Sequence, residues 1–447
     1  MAEYKFDTLK VRAGYNPKDH NDAVSVPIYS TASYEIGDAL RFERIAAGEE
    51  NGHLYSRLSN PTVAVLEERV NELEGGVAAV AVASGMAAIT YSLLAVTERG
   101  GRILTTQQLY GGTIYNLDSL LPKFGVKIDK VKNDSSIDEF RKNIRDDTKA
   151  IFVESISNPR AVISDIEALA ELAHEHNIPL IVDNTFATPY LFNPIRFGAD
   201  IVVHSATKAL NGHGNTIGGI VVDSGNFDWN NGKFPQFNEP DVMLKDLQGK
   251  NRSFNEMFGN SALAGKIRLD YVTNFGAVIS PFSAYLILLG IETLSERVDK
   301  QVANTRKIVN FLKTSDAVKW IRYPELEDSQ YKKLADKYYK KGVGSTFSFG
   351  FNGNADQIYK LIDSVELFSY QANVGDARSL IVNVQKTTHG ELSEEEFKLA
   401  DISEETIRLS IGLEDPEDLI NDLKQAFKKA LSCLLYTSPS PRDGATS

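Results

Sequence analysis

The sequence predicts an α/β protein, with a large, mainly parallel sheet wrapped by helices and a smaller C-terminal α/β domain. Three observations lead there. Short apolar runs separated by helical patterns recur between residues 79 and 222, which is the alternation of strands and crossover helices. At 447 residues and 42% hydrophobic content the chain exceeds the usual single-domain size, so two domains are expected. Several runs also end in polar residues, at the strand ends where open α/β sheets place their ligands.

Residues 1–60 are rich in Asn, Ser, Gly and Tyr with little periodicity, and they predict an extended arm that reaches a neighbouring subunit. Pro61 and Thr62 supply the first turn of a helix whose apolar positions Val63, Leu66, Val70 and Leu73 repeat at three and four residues, ending at Gly75-Gly76. Strands are then expected at Ala79 to Ala83, Arg102 to Thr105, Lys149 to Glu154, Ile178 to Val182, Ile201 to Val203 and Gly219 to Val222, with a helix over Ile166 to His176. These make up a cofactor-binding domain over 61–275, which also holds an insertion at 224–266 rich in Gly, Asn and Phe. A helix from Pro281 to Arg297 opens the C-terminal domain, 276–432, with a strand at Thr346 to Phe351. Asp415 as N-cap and Pro416 in the first turn begin a closing helix with Leu419, Ile420, Leu423 and Phe427 on its apolar face. Residues 433–447 break from this composition and read as a non-native tail.

Composition excludes several function classes. With 60 acidic against 48 basic side chains, the net charge of -12 argues against a nucleic-acid or anionic-membrane surface. The only cysteine, Cys433, falls in the tail, so no disulfide framework is expected, and no metal site is expected either. Residues 1–7 lack the apolar core of a signal peptide, which predicts a cytoplasmic protein. The apolar stretch Val77 to Val96 is interrupted by Ser84, Gly85, Thr90, Tyr91 and Ser92, so it reads as a strand turning into a helix rather than a membrane span.

The strand ends carry the chemistry. After Ile201-Val202-Val203 comes His204-Ser205-Ala206-Thr207-Lys208, an amine with hydroxyls beside it, the composition of a Schiff-base site next to a phosphate; a strand-end lysine is also a common surface residue. Ser84-Gly85-Met86 turns a strand into a helix and would aim free amides at an anion, or is an ordinary turn. Asp183 follows a buried run and needs a cation to stay charged, unless it only caps the turn through Asn184 and Thr185. Tyr110, followed by Gly111-Gly112, is free to lie over a planar ligand or to be a plain turn aromatic. Asn158 and Arg408 are candidates to clamp a carboxylate, with a structural hydrogen-bonding role as the alternative. Gly342-Val343-Gly344 lacks the third glycine of a dinucleotide loop and is set aside.

In this order, Tyr55-Ser56-Arg57, Ser84-Gly85-Met86, Tyr110-Gly111, Asp183-Asn184-Thr185 and Ser205-Ala206-Thr207-Lys208 resemble the Cys/Met metabolism family of pyridoxal-phosphate enzymes, over residues 5 to 431. The insertion and Asn373-Val374-Gly375-Asp376-Ala377-Arg378-Ser379-Leu380 most resemble its O-acetylhomoserine sulfhydrylase branch, since cystathionine synthases and lyases usually carry Gly-Gly-x-Glu-Ser at that last position. The resemblance implies the fold type I architecture and pyridoxal 5'-phosphate, with Lys208 joined to its aldehyde, Asp183 on its ring nitrogen and Tyr110 stacked on its ring. It implies phosphate binding by Ser84, Gly85, Met86, Ser205 and Thr207, joined by Tyr55 and Arg57 from an adjacent subunit, in a homotetramer of two active dimers. Arg408, Asn158 and Ser379 would hold the substrate α-carboxylate, and Tyr110 or Tyr55 would assist Lys208 in proton transfer. The implied reaction replaces acetate on O-acetyl-L-homoserine with sulfide or methanethiol, giving L-homocysteine or methionine. Cystathionine γ-synthase and γ-lyase activities are the alternatives within the family, and a non-catalytic cofactor-binding homologue is a remote one. The chain departs from many relatives at Asn383-Val384-Gln385-Lys386, where they carry His-Pro-Ala-Ser, and it has Gly112 where methionine γ-lyases generally carry cysteine.

Overall fold

The computed structural model describes residues 4–132, 136–390 and 393–432; the tail expected to be non-native, 433–447, lies outside the described residues. Seven strands form the large sheet: β1 (Ala78–Val82), β2 (Gly101–Thr106), β3 (Val126–Val131), β4 (Thr148–Glu154), β5 (Leu180–Asp183), β6 (Ile201–Ser205) and β7 (Gly219–Asp223). Their order is β1-β7-β6-β5-β4-β2-β3, and only β7 runs antiparallel to its neighbours. Side chains alternate across the sheet. Phe152, Ile181, Ile201 and Val203 face helix Gly85–Thr97 and the aromatic residues Trp229, Phe234, Phe237 and Phe254 of the insertion, while Ile151, Val153, Val182 and Val202 face the opposite core. Both faces being covered explains why β4 to β6 read as unbroken apolar runs.

Strand β3 is not among the strands expected from the sequence. It is an edge strand whose middle carries Lys127, Asp129 and Lys130, with Arg102 paired to Asp129 at 2.9 Å, so an apolar-run criterion passes over it. The helix from Pro61 runs to Glu74, with the Asn60 side chain accepting from the Thr62 amide at 3.0 Å and Gly75 closing it at φ 77°.

The insertion adds a short ribbon, β8 (Asp241–Lys245) with β9 (Asn251–Arg252). The second sheet comprises β10 (Val318–Arg322), β11 (Thr346–Phe351), β12 (Ser369–Tyr370), β13 (Leu380–Asn383) and β14 (Thr406–Ser410), in the order β10-β11-β14-β13-β12. The closing helix, Pro416–Leu431, is capped by the Asp415 carboxylate, which accepts from the Glu417 amide at 2.8 Å.

Two expectations are corrected. The helix expected from Pro281 to Arg297 is two, Pro281–Glu292 and Leu294–Leu312, broken at Thr293. There the Arg297 guanidinium is buried and donates to the Gly290 carbonyl at 2.6 Å and the Ala209 carbonyl at 2.9 Å, tying the break to the residue after Lys208. The N-terminal segment is not simply extended. It contains helices Phe6–Arg12 and Ala39–Ala46, and its start lies on its own chain: Lys10 Nζ meets Glu296 at 2.6 Å and the Ala13 carbonyl accepts from Arg69 at 3.0 Å. Among the described residues no helix is long and apolar enough to cross a membrane.

Candidate active site

The carboxyl ends of β4, β5 and β6 deliver Glu154, Asp183 and Ser205 side by side, with Glu154 and Asp183 in direct register. They open into a cavity of about 240 Å³, closed from the second sheet by Arg408 of β14. Ten of the expected site residues line this one cavity: Ser84, Gly85, Met86, Tyr110, Asn158, Asp183, Ser205, Thr207, Lys208 and Arg408.

One end is built for an anion. Ser84 caps helix Gly85–Thr97 by accepting from the Ala87 amide at 3.1 Å, which leaves the Gly85 and Met86 amides without an intrahelical acceptor at the positive end of the helix. Gly85 is required by close approach, because a Cβ there would sit 2.6 Å from the Ser205 Cβ and 2.8 Å from its Cα. The Ser205 amide donates to Thr185 Oγ1 at 2.8 Å and its hydroxyl has no partner among the described residues. The Thr207 hydroxyl bridges to Gly218, accepting from its amide at 3.1 Å.

The middle is acidic, and among the described residues neither acid forms an ion pair. Asp183 accepts from the Thr185 amide at 2.9 Å, and burial pushes its carboxyl up. Beside it Glu154 accepts from the Tyr110 amide at 2.7 Å and the Asn158 amide at 3.0 Å, and burial together with the charge of Asp183 raises it to about 8. Two adjacent buried acids are stable as a charged pair only with a positive group between or against them.

The far end has cations without anions. Lys208 Nζ donates to Asn373 Oδ1 at 2.8 Å, and burial, with Arg408 nearby, lowers it to about 8. Arg408, 3% exposed, donates to Asn158 Oδ1 at 3.0 Å and to the Asn373 carbonyl at 3.1 Å. Burial brings it down to about 10, and among the described residues it has no ion-pair partner. A buried guanidinium with only neutral acceptors is half of a carboxylate site.

Tyr110, 41% exposed, begins helix Gly111–Tyr115. Both following glycines serve it: a Cβ on Gly112 would lie 2.6 Å from the Tyr110 ring, and one on Gly111 would lie 2.3 Å from the Thr388 carbonyl oxygen. A side chain at 112 would therefore displace the ring.

Three expected residues lie outside the cavity wall. Ser379 is buried beside β13, where its hydroxyl donates to Glu414 at 2.8 Å and accepts from the Gly412 amide at 2.9 Å, so its polar capacity is already used. Tyr55 is 43% exposed and Arg57, also exposed, stacks on it at 5.5 Å and donates to the Thr273 carbonyl at 2.8 Å. Conversely, Glu154 and Asn373 were not singled out from the sequence. Glu154 ends an apolar run just as Asp183 does, and Asn373 opens the quoted 373–380 motif, so both carried a readable signal. The departing stretch is a turn, in which Asn383 Oδ1 accepts from the Lys386 amide at 3.0 Å; of residues 383–389 only Thr388 lines the cavity. His389 is buried next to it and held down to about 4 by burial.

The three places match the polar groups of pyridoxal phosphate: free amides and a free hydroxyl for its phosphate, a buried acid for its ring nitrogen, and an amine of lowered basicity for its aldehyde. Comparison with known proteins agrees. The chain is 43% identical over 436 residues to a sulfhydrylase of Fusarium oxysporum, covering 96% of this chain and 99% of that protein. It is 41% identical to an O-acetyl-L-homoserine sulfhydrylase of Leptospira meyeri, covering 95% and 97%. A crystal structure from Campylobacter jejuni, described as an O-acetylhomoserine (thiol)-lyase and carrying an N'-pyridoxyl-lysine-5'-monophosphate, superposes with a TM-score of 0.90 at 36% identity, covering 95% of this chain and all of that one. With the model for Cys/Met metabolism PLP-dependent enzymes also matching residues 7–428, the chain belongs to that family of pyridoxal-phosphate enzymes.

Proposed function

We propose that the protein is an O-acetyl-L-homoserine sulfhydrylase, replacing acetate at Cγ with sulfide to give L-homocysteine and acetate, with methanethiol as a second nucleophile giving methionine. The observation that carries this reading is the pairing, in one cavity, of an amine lowered to about 8 with a buried, anion-free guanidinium. It is supported by the sulfhydrylase names of the relatives and by the Asn373–Leu380 segment.

Bound pyridoxal phosphate would supply an aldehyde for the substrate amine and an electron sink for its Cα. Gly85, Met86, Ser205 and Thr207, with Ser84 capping the helix, would hold its phosphate, Asp183 would hold its ring nitrogen protonated, and Tyr110 would cover its ring. Arg408, steadied by Asn158, holds the substrate carboxylate. Lys208, released from holding the cofactor, takes the Cα proton and returns protons along the chain, a task suited to a base near neutral pH. Ser379, with its hydroxyl engaged by Glu414, acts on the carboxylate only through the loop it anchors.

The active unit is a pair of subunits, assembled as a homotetramer, in which Tyr55 and Arg57 of each chain complete the neighbour's phosphate site. Their exposure on their own chain, away from their own cavity, supports this.

The test is product analysis of the cofactor-loaded protein given O-acetyl-L-homoserine with sulfide, and in parallel with cysteine. Homocysteine from sulfide with little cystathionine is expected. Cystathionine as the main product would move the reaction to a synthase, and release of 2-oxobutanoate alone would move it to a lyase.

A further inference from the structure

The roles proposed for the cavity leave Glu154 unused, although it lies in the cavity wall at the end of β4, only 6% exposed. Each of its carboxylate oxygens has its own backbone donor: Oε1 accepts from the Tyr110 amide at 2.7 Å, and Oε2 from the Asn158 amide at 3.0 Å. These amides belong to two different loops, one following β2 and the other following β4. The first loop carries the tyrosine ring at the cavity wall. The second carries the Asn158 side chain, whose Oδ1 accepts from Arg408 at 3.0 Å. One carboxylate thus fixes the backbone under the ring cover and under the carboxylate clamp at once. The task needs two accepting oxygens, whereas a glutamine offers one and would turn its NH2 group against an amide N–H.

The two backbone donors favour the charged form of Glu154, while burial and the neighbouring charge of Asp183 oppose it. With Asp183 holding the protonated ring nitrogen, that repulsion is cancelled, and Glu154 can hold both loops as a charge-assisted acceptor. We propose that Glu154 is a positioning residue that couples cofactor binding to recognition of the substrate carboxylate, by holding the Tyr110 and Asn158 loops with one charged group. It acts on the substrate through Asn158 and Arg408, so this role rests on Arg408 being the carboxylate clamp. Such coupling is reciprocal, and an amino acid seated on Arg408 should tighten the cofactor in turn.

The role is read by titrating the cofactor-loaded protein with L-norvaline, which has the α-carboxylate but no leaving group at Cγ, and with n-butylamine, the same chain without the carboxylate. Cofactor absorbance reports binding of both. The longer bond, to Asn158, is the one that Glu154→Gln should release. That variant should weaken norvaline about tenfold, the loss of a hydrogen bond to a charged group, and butylamine by less than about twofold. Equal weakening of both, or of neither, overturns the role, because a general brace of the fold has no reason to single out the carboxylate. In an Asn158→Ala background, Glu154→Gln should cost norvaline less than about twofold more, and a further loss of about tenfold would overturn the path through Asn158. In the unmodified protein, loading the cofactor should slow deuterium exchange at the Tyr110 and Asn158 amides together; protection of one without the other also contradicts the role. None of these measurements involves sulfide, so failure to form homocysteine would remove the proposed function alone. An unmodified protein that binds norvaline no better than butylamine would remove Arg408 as the clamp, and this role with it.

Discussion

Among the described residues neither Arg408 nor Asp183 forms an ion pair, and such residues are the most easily interrogated. Removing the guanidinium should leave the fold in place and weaken substrate capture: Arg408→Ala should raise the KM for O-acetyl-L-homoserine by about a hundredfold, the loss of a charge-assisted pair, as read in steady-state kinetics. The acid pair has a pH signature. Asp183 and Glu154 bind protons more tightly folded than unfolded, so their contribution to stability is present below the ordinary carboxylate range and is lost as pH rises through the folded value, about 8 for Glu154. Lys208 acts in the other sense, because an amine lowered to about 8 disfavours the folded state below that pH and ceases to do so as pH rises further. The cofactor-free protein should therefore lose thermal stability between about pH 5 and about pH 8, and Asp183→Asn should flatten that slope and add roughly 1–3 kcal/mol near pH 8. Melting curves of the cofactor-free protein across this range decide it; a slope unaltered by Asp183→Asn would remove the acid pair as its cause. Asp183 and Arg408 stand out in the sequence because each interrupts an apolar strand run with a charge, and Lys208 because it follows such a run within a short cluster of hydroxyl residues. Ser379 misled because its partner, Glu414, lies 35 residues away and nothing local announces it.

The elements position these side chains by close approach. The start of helix Gly85–Thr97 is pressed against the end of β6, so Gly85→Ala forces one of them to move. Overpacking of this kind costs about 1–3 kcal/mol, and if the displaced amides hold the phosphate as proposed, pyridoxal-phosphate affinity should fall about ten- to a hundredfold in equilibrium dialysis. Unchanged affinity would mean that the phosphate is held elsewhere. Strands β4 to β6 were readable because both their faces are buried, whereas β3, solvated at the sheet edge, carries the charges of a surface segment. The break at Thr293 could not be read either. The helical pattern continues through it, and the interruption is anchored by Arg297 reaching carbonyls at Gly290 and Ala209, a contact between segments about ninety residues apart that local periodicity does not encode.

Across the whole molecule, Tyr55 and Arg57 are the residues a single chain leaves unexplained, exposed and absent from their own cavity. If each serves a neighbour, Arg57→Ala and Lys208→Ala proteins are separately impaired but complement one another. After subunit exchange, about a quarter of the sites combine an intact lysine with an intact arginine, and activity should recover to about that fraction. Absence of recovery, with exchange verified by mass, would return both residues to a role on their own chain. At the carboxyl end of the large sheet, Lys208 is the amine expected to hold the cofactor. Borohydride reduction of the cofactor-loaded protein, followed by peptide mass mapping, reads this directly. A pyridoxyl phosphate mass on the peptide bearing Lys208, and no stable adduct in Lys208→Ala, is the predicted result; an adduct on a different lysine of the unmodified protein, or none at all, would contradict it.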